Sequence, residues 1–150
     1  MGWIFTVLAL VAGSLLPLQA LINARLGHNS GGALFASACS FLVGTIALWT
    51  VLLVSRQPLP SVEVLGRLPV WMWLGGLFGA VFVAIATLAI PRLGASSLVA
   101  LVVLGQMAAS MALDNFGVLQ QPQPATLARL MGAALIVAGV VLVLQPWKAR

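Results

Sequence analysis

Residues 95–117, ASSLVALVVLGQMAASMALDNFG, decide how the chain is read. The run is apolar and long enough to cross a bilayer, because a helix needs about 20 residues at 1.5 Å each to traverse about 30 Å of hydrocarbon. Within it Gln106, Ser110 and Asp114 recur at every fourth position, so on a helix they form one stripe about 80° wide. Lipid rejects such a stripe. A carboxyl at membrane depth must be paired, protonated or wetted, and so marks a candidate functional site. Plainer roles are open to the same residues. Asp114 lies near the end of the run, within reach of interfacial water or an arginine, and Gln106 near its middle can join two helices through a hydrogen bond.

The composition extends this reading to the whole chain. Of 150 residues, 62 % are hydrophobic and 6 % charged, with mean hydropathy +1.15. Values so far from the soluble average belong to an integral membrane protein. Apolar segments fall at about residues 3–23, 33–54, 70–90, 95–117 and 126–144, which predicts a single all-α membrane domain of five transmembrane helices. Strands alternating polar and apolar residues are missing, against an outer-membrane barrel. The formal charge of +5 does not point to nucleic acid. The basic residues stand one or two at a time beside span ends, where they anchor to phospholipid and set orientation. Cys39 is the single cysteine; it cannot form an intramolecular disulfide and reads as a packing residue. His28 sits in the expected turn GHNSGG with no Cys, Asp or Glu at ligand spacing, so a solvated loop residue is expected and no metal or other cofactor. One His, one Cys, two acids and no Tyr do not assemble a triad, a carboxylate pair or a metal site, which argues against an enzyme.

The first span has no basic residue before its apolar region and is longer than a signal peptide needs, so it is expected to be retained. Pro17 removes a backbone donor and clashes with the carbonyl of Gly13, which predicts a kink or an opening there. Open backbone is tolerated where it lines a wet cavity or is buried in protein. Beyond it Gln19 and Asn23 share a face and can line a cavity, although Asn23 and Arg25 equally suit an interfacial exit. In the second span Gly32, Ala36, Ser40 and Gly44 form a ridge of small side chains that lets a neighbouring helix approach closely. Gly75 and Gly79 in the third span, and Gly132 and Gly139 in the fifth, suggest similar packing faces. In the connection SRQPLPSVEVLGRL, residues 55–68, Pro58 and Pro60 stop the helix. Ser61 can cap a short interfacial turn that holds Glu63 near its positive end. Pro91, Arg92 and Gly94 are expected to break the chain before the 95–117 run. Trp3, Trp49, Trp71, Trp73 and Trp147 lie at or near span ends, as an aromatic belt requires. ARLG at 24–27 and PRLG at 91–94 share three residues and hint at a repeated helix pair.

Three stretches resemble a known family. PLQALINARLG (17–27), PRLGA (91–95) and GQMAASMALDNFG (105–117) are similar to the YdcZ-type, five-helix, half-size proteins of the drug/metabolite transporter superfamily, relatives of the small multidrug resistance proteins. The resemblance covers nearly the whole chain and is most specific in the last motif. It implies a multi-pass protein of the bacterial inner (plasma) membrane that transports small molecules, with relatives both half-size and fused to double length. Pro17, Gln19, Asn23 and Arg25 match the family's first motif, and Gly105, Gln106, Asp114 and Gly117 its fourth-helix motif. One departure stands out. The multidrug relatives carry a glutamate midway along their first helix, where this chain has Ala12, Gly13 and Ser14. Asp114 lies eight residues beyond Gln106, about 12 Å along the axis, so it replaces that glutamate only near one mouth of a cavity.

Five spans place Arg56, Arg67 and Arg129 on the N-terminal side and Arg25, Arg92, Lys148 and Arg150 on the other. A difference of one barely specifies orientation: either the chain inserts both ways, or one well-placed arginine settles the matter. Dual insertion would yield an antiparallel homodimer, a ten-helix inverted-repeat bundle made from two copies. The expectation is then a transporter, an exporter of small polar or amphipathic solutes or metabolites, working by alternating access. Gln19, Asn23, Gln106 and Ser110 would line its cavity, and Asp114, Arg25, Arg92 and Pro17 would gate or couple it. In an antiparallel pair Asp114 of one copy shares a membrane side with Arg25 and Arg92 of the other, so a salt bridge there could latch one state. The proposal requires Gln106 to face a hydrated hollow rather than acyl chains or a dry seam. A small ion channel lacks support because no Gly-rich filter loop interrupts a span; a non-transporting scaffold or accessory subunit would need only the small-residue ridges. Single cysteines placed at the two termini, in a Cys39→Ala background, are expected to label from both sides of the membrane in intact cells. Labelling from one side only would exclude dual insertion.

Overall fold

The computed structural model describes residues 2–147, and among them it contains helices, turns and loops and no strand. Lys148 and Arg150, counted above for orientation, lie outside the described residues. In chain order the helices are α1 (Gly2–Asn29), α2 (Ala33–Val54), the short α3 (Val62–Gly66), α4 (Leu74–Leu93), α5 (Ala95–Phe116) and α6 (Leu127–Leu144). A 3-10 turn over Val70–Trp73 leads into α4. All but α3 are long and apolar enough to cross a membrane. The five-span, all-α architecture is therefore present.

The chain divides into two compact units between Arg92 and Leu93. In the first, α1 packs on α2 through small residues. Ala36 is completely buried, and a Cβ added to Gly27 would stand 3.1 Å from the backbone of Gly32. Gln19 Nε2 donates to Ser40 Oγ at 3.4 Å. Helix α4 meets α2 at two places. The Ser37 and Thr87 hydroxyl oxygens are 3.4 Å apart, and the Phe41 ring lies so near Gly79 that a Cβ there would stand 3.3 Å from it. Added at Gly44 or Gly75, a Cβ would meet nothing within 4 Å. The buried apolar residues of this unit, Ala20, Ala36, Val83, Ala86 and Ile90, are mostly small. Large apolar side chains remain exposed on every span, as lipid contact requires. Helix association here rests on close packing and hydrogen bonds, since lipid is as apolar as leucine.

In the second unit α5 packs on α6. The end of α5 is closed by Gly117 in the left-handed region, φ +64°. The Gly117 N–H bonds the Asp114 carbonyl at 3.2 Å and the Val118 N–H the Leu113 carbonyl at 3.0 Å, a Schellman stop. Residues 118–126 fold back over this end, and Gln123 N–H donates to the same Asp114 carbonyl at 2.8 Å. Thr126 then starts α6 by accepting the Arg129 N–H at 3.3 Å. Gly132 and Gly139 have nothing within 4 Å of an added Cβ.

Several boundaries differ from those read off the sequence. Helix α1 continues through Pro17 and on to Asn29, so it does not open at the proline, and His28 lies in its last turn rather than in a loop. Likewise α4 contains Pro91 and Arg92, and the break falls at Gly94 alone. A missing proline N–H removes one bond, whereas ending the helix would free several groups that hydrocarbon cannot solvate. Ser61 does cap α3, accepting the Val64 N–H at 3.4 Å, and Glu63 pairs with Arg67 one turn on. The junctions that do break are backbone-driven. Gly32 (φ +92°, ψ −179°) and Gly94 (φ +79°, ψ 158°) start α2 and α5 in the same conformation, one nearly restricted to glycine. The two RLG stretches thus lead into matching junctions. Neither glycine has an atom within 4 Å of an added Cβ, so Gly32→Ala and Gly94→Ala test conformation without steric clash. Each is expected to lower stability by about 1–3 kcal/mol in a micellar unfolding titration, with Gly13→Ala, mid-helix and equally open, unchanged or slightly stabilising.

Candidate functional site

Polar groups inside the spans fall into three classes by the partner they find. Half of the span hydroxyls bond their own helix. Thr6, Ser14, Thr50, Ser37 and Thr87 sit 2.7–3.2 Å from carbonyls three or four residues back. Gln19 reaches across to Ser40. Asn23, Gln106 and Ser110 make no hydrogen bond among the described residues.

Asn23 and Gln106 are orphaned in opposite ways. Asn23 is only 3 % exposed and its Nδ2 has no partner. A buried unpaired amide costs about 1–3 kcal/mol. It lies six residues before the end of α1, and Arg25, two residues on, is exposed. Gln106 and Ser110 are exposed on the single chain, so one copy does not enclose them. Pro17 is half-buried beside Gln19 on the sequence, and neither breaks the helix.

A cleft of about 280 Å³ opens at one end of the first unit, lined by Ala24, Gly27 and His28 of α1, Ala33 of α2, and Thr87, Leu88, Pro91 and Arg92 of α4. The sequence brought none of these together beyond the paired RLG stretches. Pro91 was expected to break a helix, and instead its ring walls the cleft. Thr87, one turn earlier on α4, is the most deeply buried large side chain.

Asp114 has a different setting from Gln106 and Ser110. Its Oδ2 lies 3.7 Å from Arg129 Nη1, and its Oδ1 accepts Gln120 Nε2 at 2.5 Å. Arg129 also donates to Gln123 Oε1 at 3.0 Å. The plainer role, an acid reaching an arginine near a span end, is the geometry present. Gln120, Gln123 and Arg129 are partners that spacing on α5 did not reveal. The signal was the short QQPQP connection, which returns the chain beneath the helix end. No group of three or more His, Cys, Asp or Glu that could hold a metal occurs among the described residues. The Asp114–Arg129 pair is partly exposed, 28 % and 44 % for the two side chains. A double-mutant cycle with Asp114→Asn and Arg129→Gln is therefore expected to give a coupling under about 1 kcal/mol.

No curated protein and no solved structure matches this chain. Residues 4–142 match the family described as "Putative inner membrane exporter, YdcZ". The match spans all five transmembrane helices and agrees with the resemblance carried by the motifs around Pro17, Pro91 and Gln106. The chain thus belongs to the YdcZ family of the drug/metabolite transporter superfamily and is a multi-pass membrane transporter of the inner membrane.

Proposed function

We propose that the protein moves small polar or amphipathic solutes outward by alternating access, as an antiparallel homodimer. The supporting observation is Gln106, an amide at the middle of α5 that is exposed and makes no hydrogen bond among the described residues. An amide without a partner in an apolar medium costs roughly 2–7 kcal/mol, so its face must meet water or another polar group. A second copy supplies the other wall, and Gln106 and Ser110 then line a hydrated path between the two. The nearly even distribution of basic residues on the two sides permits the opposed insertion this needs.

Asp114 serves as a gate in this scheme. Its bond to Arg129 is a partly exposed pair and hence weak, so Arg25 or Arg92 of an oppositely inserted copy can compete for the carboxylate. Exchange between the two partners distinguishes the open sides. The absence of a mid-helix acid at Ala12, Gly13 and Ser14 separates this scheme from proton-for-cation exchange.

Proteoliposomes loaded with a mixed panel of amino acids, sugars and organic ions provide the test. Saturable efflux is expected, reduced at least tenfold by Gln106→Leu and several-fold by Asp114→Asn, with the dimer intact in both. Efflux unchanged in Asp114→Asn would remove the gate; unitary currents would replace the carrier by a channel; and no flux at all would leave a scaffold.

A further inference from the structure

The cleft at the end of the first unit gives the cargo a charge class. Both acids of the sequence are already engaged, Glu63 by Arg67 and Asp114 by Arg129 and Gln120. No carboxylate stands among the residues that line the cleft. The lining of the cleft includes two basic residues, Arg92 and His28. Both stand in the last turns of their helices, where they offset the carbonyl ends that would otherwise favour a cation. Ala33 adds the first turn of α2, whose cap, Gly32, offers no side chain to its N–H groups, and such groups favour anions. One turn back from Gly27 on α1 is Asn23, with a buried, unpartnered Nδ2.

The remaining lining is apolar: Ala24, Gly27, Leu88 and Pro91. An apolar cavity of about 150 Å³ accepts a benzene ring, so about 280 Å³ holds a ring together with an anionic group. We propose that this cleft binds amphipathic anions, a phosphate or carboxylate at Arg92 with a short apolar body against Leu88 and Pro91. A free solute and an anionic lipid headgroup share that chemistry. For naming the ligand as cargo the inference rests on the transport reading; the site itself does not depend on it.

Binding is measured at equilibrium in nanodiscs, where no gradient exists, so loss of binding and loss of flux are separate results. Full-length protein in phosphatidylcholine discs is titrated with phenyl phosphate, and with benzyltrimethylammonium as a cation of similar size. Saturable binding of the anion alone is expected. It should weaken about tenfold or more in Arg92→Gln, the size of a lost charge-assisted hydrogen bond, and recover largely in Arg92→Lys. Ala24→Leu, which fills the cleft and keeps Arg92, should also abolish it, so a folding defect in one variant does not decide the matter. Discs containing phosphatidylglycerol distinguish the sources. Undiminished phenyl phosphate binding supports a solute site, and competition that Arg92→Gln removes supports a headgroup site. No anion binding in either disc, equal binding of the cation, or binding indifferent to both Arg92→Gln and Ala24→Leu would overturn the proposal, even if efflux of other solutes persisted.

Discussion

A polar group inside a bilayer has no water to fall back on, and this constraint governs every part of the molecule. The backbone meets it by staying helical through Pro17 and Pro91, each of which forfeits one hydrogen bond rather than several. Half of the span hydroxyls meet it by bonding the preceding turn. Gln19 meets it through Ser40. Among what is left are an amide buried on α1 and an amide and a hydroxyl exposed on α5, polarity that one chain does not satisfy. In a protein whose helices gain little from burying apolar surface against one another, such leftovers are costly to keep without a use.

The same constraint explains where the chain turns. Helices joined by three residues, 30–32, or by Gly94 alone need a sharp change of direction with few freed backbone groups. Gly32 and Gly94 provide it in one conformation. The loop after α5 is longer, and there the stop is made by Gly117, whose missing Cβ admits Pro122, with the Asp114 carbonyl accepting from both Gly117 and Gln123. The carboxylate of Asp114 is drawn into the same end structure through Gln120 and Arg129. A side chain that looks catalytic or coupling in a linear reading is thus also a structural fastener. The two roles are compatible because the fastening bond is solvent-accessible and weak.

Charge is divided accordingly. Acids are held by bases within the same segment or the adjoining helix, while His28 and Arg92 border an apolar cleft. That division separates this chain from relatives that carry an acid in the first helix, and it turns attention from a central carboxylate to the guanidinium at the rim. Affinity of this kind combines one strong electrostatic contact with an apolar body, the usual composition of a small-molecule site.

The sequence by itself determined the membrane class, the five spans and their all-helical nature, because length and apolarity decide insertion whatever the neighbours are. It also determined the cap at Ser61, which is local in origin. It placed the helix ends poorly. A proline in solution stops a helix that hydrocarbon keeps intact, so Arg92 was assigned to a break that falls at Gly94 alone, and His28 was assigned to a turn that begins two residues later. Tertiary structure alone decided that Thr87 meets Ser37, that Asn23 is buried without a partner, and that Asp114 turns to Arg129 rather than standing with Gln106. Those outcomes depend on which faces of separate helices come together, and periodicity along one helix carries no information about its neighbour.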